Sequence, residues 1–218
     1  MSLMSSFTEG PRRYIALGVG AVVVVLLGIF LFSKDDGLND SPVRDVIRAG
    51  NKGNVKKLVE FTKDPDIAKS TEALVQLARV QGKEARPMME QMLNDPRTEM
   101  RQAAAYQMGI IGDPKNPDAL VAALKDPEPS VRIAVCKSLG KLRASTAALY
   151  MLPLIEKDNP LVQENALMGF NNATGTDFGY KLSLTPGDRQ KKMTNMRKFA
   201  SVLAGKSAAT GVDITKSN

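Results

Sequence analysis

The sequence predicts an all-α protein, a solenoid of stacked helix pairs that is preceded by one membrane-spanning helix and followed by a capping helix. Three observations lead to this prediction. Residues 14–32 form an uncharged apolar run, an Asp-Pro pair recurs every 31 residues, and apolar residues at helical spacing recur with the same period. A fold of this kind offers surface area for docking, so the sequence favours a binding or scaffolding protein over an enzyme.

The composition removes several kinds of chemistry. The 218 residues include no His, no Trp and one Cys, whereas 43% of them are hydrophobic, which is enough for a substantial core. Without His there is no His-based acid–base catalysis, and a single Cys excludes an internal disulfide and a Cys/His zinc site. We therefore expect no catalytic residue, no metal site and no cofactor.

The first element is the apolar run at residues 14–32, which lies between a short tail at 1–13 and a linker at 33–40. A helix of this length rises about 28 Å, close to the thickness of the hydrocarbon core of a bilayer. A cleaved signal peptide is the alternative, but its apolar region is usually shorter, and no small-x-small cleavage site follows Phe32. The sequence therefore predicts an uncleaved single-pass anchor.

Charges beside this run predict its orientation. Arg12 and Arg13 directly precede it, whereas Lys34 on the far side is followed by Asp35 and Asp36. The basic residues favour a cytoplasmic N-terminus. We therefore expect a single-pass protein of the cell inner membrane whose solenoid is periplasmic or otherwise extracytoplasmic.

The solenoid is predicted over residues 41–175. Asp64, Asp95 and Asp126 are each followed by Pro, and Asp158 follows at a slightly offset position. Asp favours the N-cap of a helix and Pro its first position, so each pair predicts a helix start. One helix pair cannot bury its own apolar face, so neighbouring pairs must stack. Repeating apolar columns are Leu58, Met89, Leu120 and Met151 in the first helix, and Met108, Leu139 and Phe170 in the second.

A resemblance to known repeats is carried by residues 126–142, which read Asp-Pro-Glu-Pro-Ser-Val-Arg-Ile-Ala-Val-Cys-Lys-Ser-Leu-Gly-Lys-Leu. This segment resembles the short HEAT repeats of many bacterial proteins and of phycobilin-lyase-like proteins, and residues 95–126 are a second clear copy. The outer units depart from the pattern, since Ser70 and Gln163 stand where the central copies have Arg101 and Arg132. The resemblance implies an α-solenoid, and a lyase-type member would act on bilin chromophores, although no catalytic residue can be matched here.

Two kinds of residue inside the repeats have competing interpretations. Arg101 and Arg132 lie six residues after a repeated Asp and recur with the period, which favours a ladder of Asp–Arg pairs over a site for acidic ligands. Cys136 lies among apolar residues of a predicted helix. We expect it to be a packing residue rather than a reactive thiol.

Residues 176–205 are predicted to close the solenoid, and residues 206–218 to form a disordered tail. Thr185, Pro186 and Asp188 provide a cap, a proline at the first helical position and an acid three residues after the cap, so a helix is expected from there to about Ala204. We expect this helix to cover the last repeat with Met193, Met196, Ala200 and Leu203.

The net charge of +7 is concentrated at the C-terminal end. Residues 34–180 contain 20 basic and 20 acidic residues, whereas residues 181–218 contain eight basic and two acidic ones. A solvated outer face is the simplest interpretation, and anionic lipid or nucleic acid are alternatives. Nucleic acid is the least favoured, because Phe199 is the only aromatic residue of that helix. The candidate residues for an anionic surface are Lys191, Lys192, Arg197 and Lys198.

Polar positions beside the apolar stripe of the first helix in each pair form the candidate partner-binding surface. The leading hypothesis is a membrane-anchored scaffold or accessory subunit that binds one or more proteins of a membrane complex. A bilin-lyase-like enzyme or chromophore-binding protein, and a basic tail that binds lipid or nucleic acid, are the alternatives. The candidate residues are Lys56, Glu60, Arg86, Glu90, Gln91, Lys125 and Glu156.

Overall fold

The computed structural model describes residues 41–208, and within that range every regular element is helical, which confirms the predicted all-α class. Short 3-10 turns at Gly82–Ala85 and Ser145–Ala147 precede the fourth and eighth α-helices. The α-helices are α1 (Arg44–Asn51), α2 (Val55–Phe61), α3 (Ile67–Gln81), α4 (Arg86–Met92), α5 (Thr98–Ile111), α6 (Asp118–Ala123), α7 (Pro129–Lys141), α8 (Ala148–Lys157), α9 (Pro160–Thr174) and α10 (Pro186–Ala208).

The predicted membrane anchor at residues 14–32 lies outside the described residues, as do the tail at 1–13 and the linker at 33–40. Among residues 41–208, no helix combines the length and the apolar character that crossing a bilayer requires. Helix α10 continues to Ala208, beyond the boundary that the sequence predicts for it. The anchor, the linker and the tail after Ala208 therefore stay predictions.

Eight of the helices form four stacked pairs. The first helices of the pairs, α2, α4, α6 and α8, are here called the A layer, and the second helices, α3, α5, α7 and α9, the B layer. Each B-layer helix packs against its own A-layer partner and against the next B-layer helix along the chain. This arrangement confirms the predicted solenoid for the four pairs.

The predicted apolar columns form the core of the stack. Leu58, Met89, Leu120 and Met151 of the A layer are completely buried, and so are Leu139 and Phe170 of the B layer. Because these positions recur every 31 residues, each pair adds an equivalent layer to one continuous core.

Small residues let the B-layer helices approach one another closely. A Cβ atom on Gly169 of α9 would lie 2.5 Å from the carbonyl oxygen of Cys136 on α7. A Cβ atom on Gly109 of α5 would lie 2.7 Å from the hydroxyl of Ser138, which donates a hydrogen bond to the Ala105 carbonyl at 2.7 Å. These contacts fix the distance between neighbouring repeats on the B-layer side.

Cys136 is the packing residue that the sequence predicts. Its side chain is fully buried and belongs to the core cluster. Burial, together with the nearby charge of Asp158, raises the pKa of the thiol to about 12, so the reactive thiolate is scarce near neutral pH.

The prediction that each repeated Asp caps a helix is wrong for all four copies, since the caps are Asp66, Arg97, Glu128 and Asn159. Helix α5, for example, begins three residues after Asp95. The Asp95 carboxylate accepts a hydrogen bond from the Arg97 backbone N–H at 2.9 Å, and Asp64 and Asp126 accept the same bond from the residue two positions on. Each of these bonds closes an Asx turn directly before the helix begins. In α9 the predicted first-position proline, Pro160, is present, but its cap is Asn159 rather than Asp158.

Helix α10 packs against α8 and against the 3-10 turn that precedes α8. The Phe178 ring of the preceding loop lies 6.0 Å from the Phe170 ring of α9 and 5.4 Å from the Phe199 ring of α10, measured between centroids. The contacts between these three aromatic rings join the loop and α10 to the last repeat. Met193, Met196 and Ala200 of α10 are buried, as the sequence predicts, whereas Leu203, predicted for the same face, is only partly buried.

We expect Gly169→Ala to lower the free energy of unfolding by about 1–3 kcal/mol, because the added methyl group collides with the backbone of α7. Gly205→Ala is the matched control, since a Cβ atom there meets nothing within 4 Å, and it should leave stability unchanged or raise it. Urea unfolding of both purified variants measures the effect. Equal stabilities would contradict the close approach of α7 and α9.

Candidate partner-binding surfaces

A ladder of Asp–Arg pairs runs along the turns that enter the B layer. The Arg101 guanidinium donates to both carboxylate oxygens of Asp126 in the next repeat, at 2.7 and 3.1 Å, and to the Asp95 carbonyl in its own repeat at 3.0 Å. Arg132 binds Asp158 in the same bidentate way, with both distances at 2.7 Å. Bidentate pairs of this kind are strong and directional, so they hold adjacent repeats in register.

Arg97 extends the ladder toward the first repeat, where Ser70 replaces the ladder arginine. Its guanidinium pairs with Asp95 at 2.9 Å and donates to the carbonyls of Asp64 at 3.0 Å and Thr62 at 2.9 Å. The first two repeats are therefore joined by a bond that reaches backward along the chain. The sequence analysis missed Arg97 because the equivalent positions of the neighbouring repeats carry acidic residues.

The ladder holds its carboxylates in the ionised form. The hydrogen bond from Arg132 lowers the pKa of Asp158, and this effect exceeds the opposing effect of burial. The same balance lowers the pKa of Asp95 beside its own arginine. For Asp126, burial acts to raise the pKa, but the hydrogen bond from Arg101 and its other partners outweigh it, and the pKa is again lowered.

These bonds decide between the two interpretations of the repeated arginines. The guanidinium groups of Arg101 and Arg132 already donate to a carboxylate and to two turn carbonyls each. Their guanidinium groups are engaged within the solenoid, which supports a structural role over a site for an acidic ligand.

The structure places the seven predicted partner-binding residues on the A layer and the turns after it, and three of them have intramolecular partners. Arg86 pairs with Glu90 at 2.6 Å and also donates to the Asn116 carbonyl of the next repeat at 3.0 Å. Glu156 pairs with Arg197 of α10 at 2.7 Å. The remaining four are exposed: Lys56, Glu60, Gln91 and Lys125.

The predicted anionic surface is divided in the same way. Arg197 takes part in the ion pair with Glu156, and Lys192 is partly buried. Lys191 and Lys198 are exposed and lie two turns apart on one side of α10.

The outer face of the B layer carries apolar side chains that the sequence analysis did not identify. Val75, Tyr106 and Met168 are exposed and occupy equivalent positions of α3, α5 and α9. Ile110 lies one turn after Tyr106, and Leu161 two turns before Met168, with exposed fractions of 58% and 61%. Single exposed apolar residues are ordinary, but these share one face of the stack. Three of them recur with the 31-residue period, but the period alone does not distinguish exposed apolar positions from buried ones.

Lysines interrupt this apolar face at its third helix. The positions of α7 equivalent to Tyr106 and Ile110 are Lys137 and Lys141, and both are exposed. Within residues 41–205, neither lysine lies within 4.0 Å of a carboxylate oxygen. We call this surface the B-layer face, and it consists of Val75, Tyr106, Ile110, Lys137, Lys141, Leu161 and Met168.

In the part of the chain that the structure describes, no three His, Cys, Asp or Glu side chains lie together so as to hold a metal ion. The thiol of Cys136 lies in the core, and the ladder carboxylates are bound to arginines.

Comparison with known proteins agrees with this geometry. The family profile for HEAT repeats matches residues 55–128 and 117–170, which together span more than half of the chain and coincide with the four helix pairs. No curated protein sequence matches the chain.

Arg132→Gln tests the ladder. Loss of the guanidinium leaves the mostly buried Asp158 carboxylate without its partner, and we expect the free energy of unfolding at neutral pH to fall by about 1.5–3 kcal/mol. Lys137→Gln, which removes an exposed charge from the same helix, should cost less than about 0.5 kcal/mol. Urea unfolding compares the two variants.

The pH dependence provides a second measurement on these variants. Because the folded protein has a lowered pKa at Asp158, the pair contributes fully above the ordinary value of 3.8 and loses its contribution as the pH falls through the lowered pKa. Between about pH 5 and about pH 2, the protein should therefore lose more stability than Arg132→Gln does. If the protein and Arg132→Gln lost the same amount of stability over this pH range, the pair of Arg132 and Asp158 would not be what holds the Asp158 carboxylate ionised.

Proposed function

We propose that this chain, which belongs to the HEAT-repeat family, is a scaffold or accessory subunit that binds another protein through its solenoid. HEAT repeats generally mediate protein–protein interactions. The observation that supports the proposal here is the B-layer face, where exposed apolar side chains recur at equivalent positions of α3, α5 and α9.

The construction of the solenoid makes this face suitable for docking. Bidentate bonds of the ladder and the contacts of Gly109 and Gly169 fix the spacing of the repeats, so the side chains above them keep fixed relative positions. A preorganised surface loses little conformational entropy when a partner binds. Burial of its apolar groups contributes about 25 cal/mol for each Å² removed from water.

We further propose that residues 14–32 hold the solenoid at the cell inner membrane, with the N-terminus in the cytoplasm. The uncharged length of this run and the basic pair Arg12 and Arg13 support the proposal. The linker at 33–40 spans at most about 29 Å when extended, so the partner is expected to be a membrane protein or to lie close to the bilayer surface.

A second candidate function is contact of α10 with anionic lipid headgroups. Lys191 and Lys198 are exposed on one side of the helix, and Val202 lies one turn beyond them with an exposed fraction of 49%. Each lysine near an anionic surface contributes about 1 kcal/mol of attraction. Bilin chemistry, implied only by the resemblance of the repeats, has no observation among the described residues in its favour.

Co-purification from gently solubilised membranes tests the scaffold. The full chain is expected to migrate with a partner, and Tyr106→Glu combined with Ile110→Glu should release it, because two charges then lie on the B-layer face. Asn94→Glu with Ala122→Glu introduces the same charge at exposed positions on the A-layer side and should leave the complex intact. A chain that migrates alone as a monomer would contradict the proposal.

A topology reporter fused after Asn218 tests the orientation. We expect a reporter that is active only outside the cytoplasm to be active, because the basic residues before the apolar run stay in the cytoplasm. Arg12→Asp with Arg13→Asp should reduce that activity. Activity of a reporter that works only in the cytoplasm would show the opposite orientation and contradict the proposal.

A further inference from the structure

The order of side chains across the B-layer face carries information about the partner. From α3 to α9, the middle positions of the helices carry Val75, Tyr106, Lys137 and Met168, so two apolar groups are followed by a cation and then by a third apolar group. A ligand that satisfies all four positions must offer a matching order of apolar and acidic groups.

The spacing of these positions matches that of an α-helix. Packed helices lie 8–10 Å apart, and the small residues at Gly109 and Gly169 keep the central helices in direct contact. Seven residues of an α-helix rise about 10.5 Å and return to nearly the same face. A helix that crosses the B layer therefore presents residues seven apart to successive repeats.

The lysines determine the charge of that helix. Lys137 and Lys141 are exposed, lie between apolar groups and have no ion pair within the described residues. An apolar ligand that covered them would bury charge without a partner, which is costly. Carboxylates of the ligand opposite Lys137 and Lys141 would form charge-assisted hydrogen bonds with them, which offset this cost and fix the register of the helix.

The same lysines argue against a second copy of this chain as the occupant. A symmetric dimer through the B-layer face would place the same patch of both copies against itself. Lys137 and Lys141 of each copy would then enter one contact, and the exposed Glu164 between Leu161 and Met168 offers each copy only one carboxylate for its two lysines.

We propose that the B-layer face binds an acidic amphipathic helix of the partner, which lies across the B layer with its apolar residues on Val75, Tyr106 and Met168 and its carboxylates at Lys137 and Lys141. The inference rests on the proposed scaffold function and specifies the chemistry of the partner. The helix carries apolar residues at positions i, i+7 and i+21, and acidic residues near i+14 and i+18.

Two synthetic helical peptides with this apolar pattern test the inference against the full chain in detergent. One peptide carries Glu at positions i+14 and i+18, and the other carries Lys there. We expect saturable binding of the Glu peptide by fluorescence anisotropy, at least about tenfold tighter than binding of the Lys peptide. Raising the salt concentration should weaken binding of the Glu peptide more than binding of the Lys peptide.

Charge reversal on the protein locates the contact. Lys137→Glu with Lys141→Glu should weaken binding of the Glu peptide at least about tenfold and strengthen binding of the Lys peptide. Loss of folding cannot produce this exchange of preference, because it would weaken binding of both peptides. Lys83→Glu with Lys115→Glu makes the same change of charge at exposed turn positions outside the B-layer face and should leave both affinities unchanged. Equal affinities for the two peptides, or equal effects of the two double variants, would overturn the inference.

The partner experiment separates this inference from the scaffold itself. If a partner co-purifies and is released by Tyr106→Glu with Ile110→Glu, but not by reversal of Lys137 and Lys141, the scaffold stands and the acidic helix is wrong. If the lysine reversal abolishes binding to anionic vesicles or self-association while the peptides remain unbound, the occupant is a lipid surface or a second copy, and the inference is also overturned.

Discussion

The bond from each ladder arginine to the aspartate of the following repeat is the interaction on which the rest of the structure depends. Arg101 to Asp126 and Arg132 to Asp158 join units whose remaining contacts are mostly apolar, and hydrophobic contact alone has no direction. The bidentate geometry supplies the direction. With the register fixed, the small residues of the B layer meet one another and the apolar columns align into one core.

Most of the repeat architecture could be predicted, because a 31-residue period records in the sequence what stacking requires in space. Buried columns such as Met89 and Leu120 were found by period alone, and so was the pairing of Arg132 with an aspartate. The exact helix starts could not be predicted in the same way. Asp-Pro is compatible both with a cap and with a turn before the cap, and only the backbone geometry around Asp95 decides between them.

Residues outside the regular pattern of the two central repeats were harder to predict than those that follow it. Arg97 has no periodic counterpart, so no column marked it, although it replaces the bond that Ser70 cannot make. Among polar A-layer positions, the sequence does not show that Arg86 pairs with Glu90 whereas Gln91 remains exposed, since both outcomes suit a solvated helix. Exposed apolar positions such as Met168 have the same hydrophobicity as buried ones, and only three-dimensional packing separates them.

The one-way direction of the ladder has a consequence for how such a protein changes over evolutionary time. Arg101 stands to Asp126 as Arg132 stands to Asp158, so excision of one 31-residue unit would bring Arg101 opposite Asp158 with the same chemistry on both sides. A duplicated unit would insert with equal ease. Gene rearrangement can therefore lengthen or shorten the stack without new compensating substitutions, and the number of units becomes a heritable variable that selection can adjust to the size of whatever the protein holds.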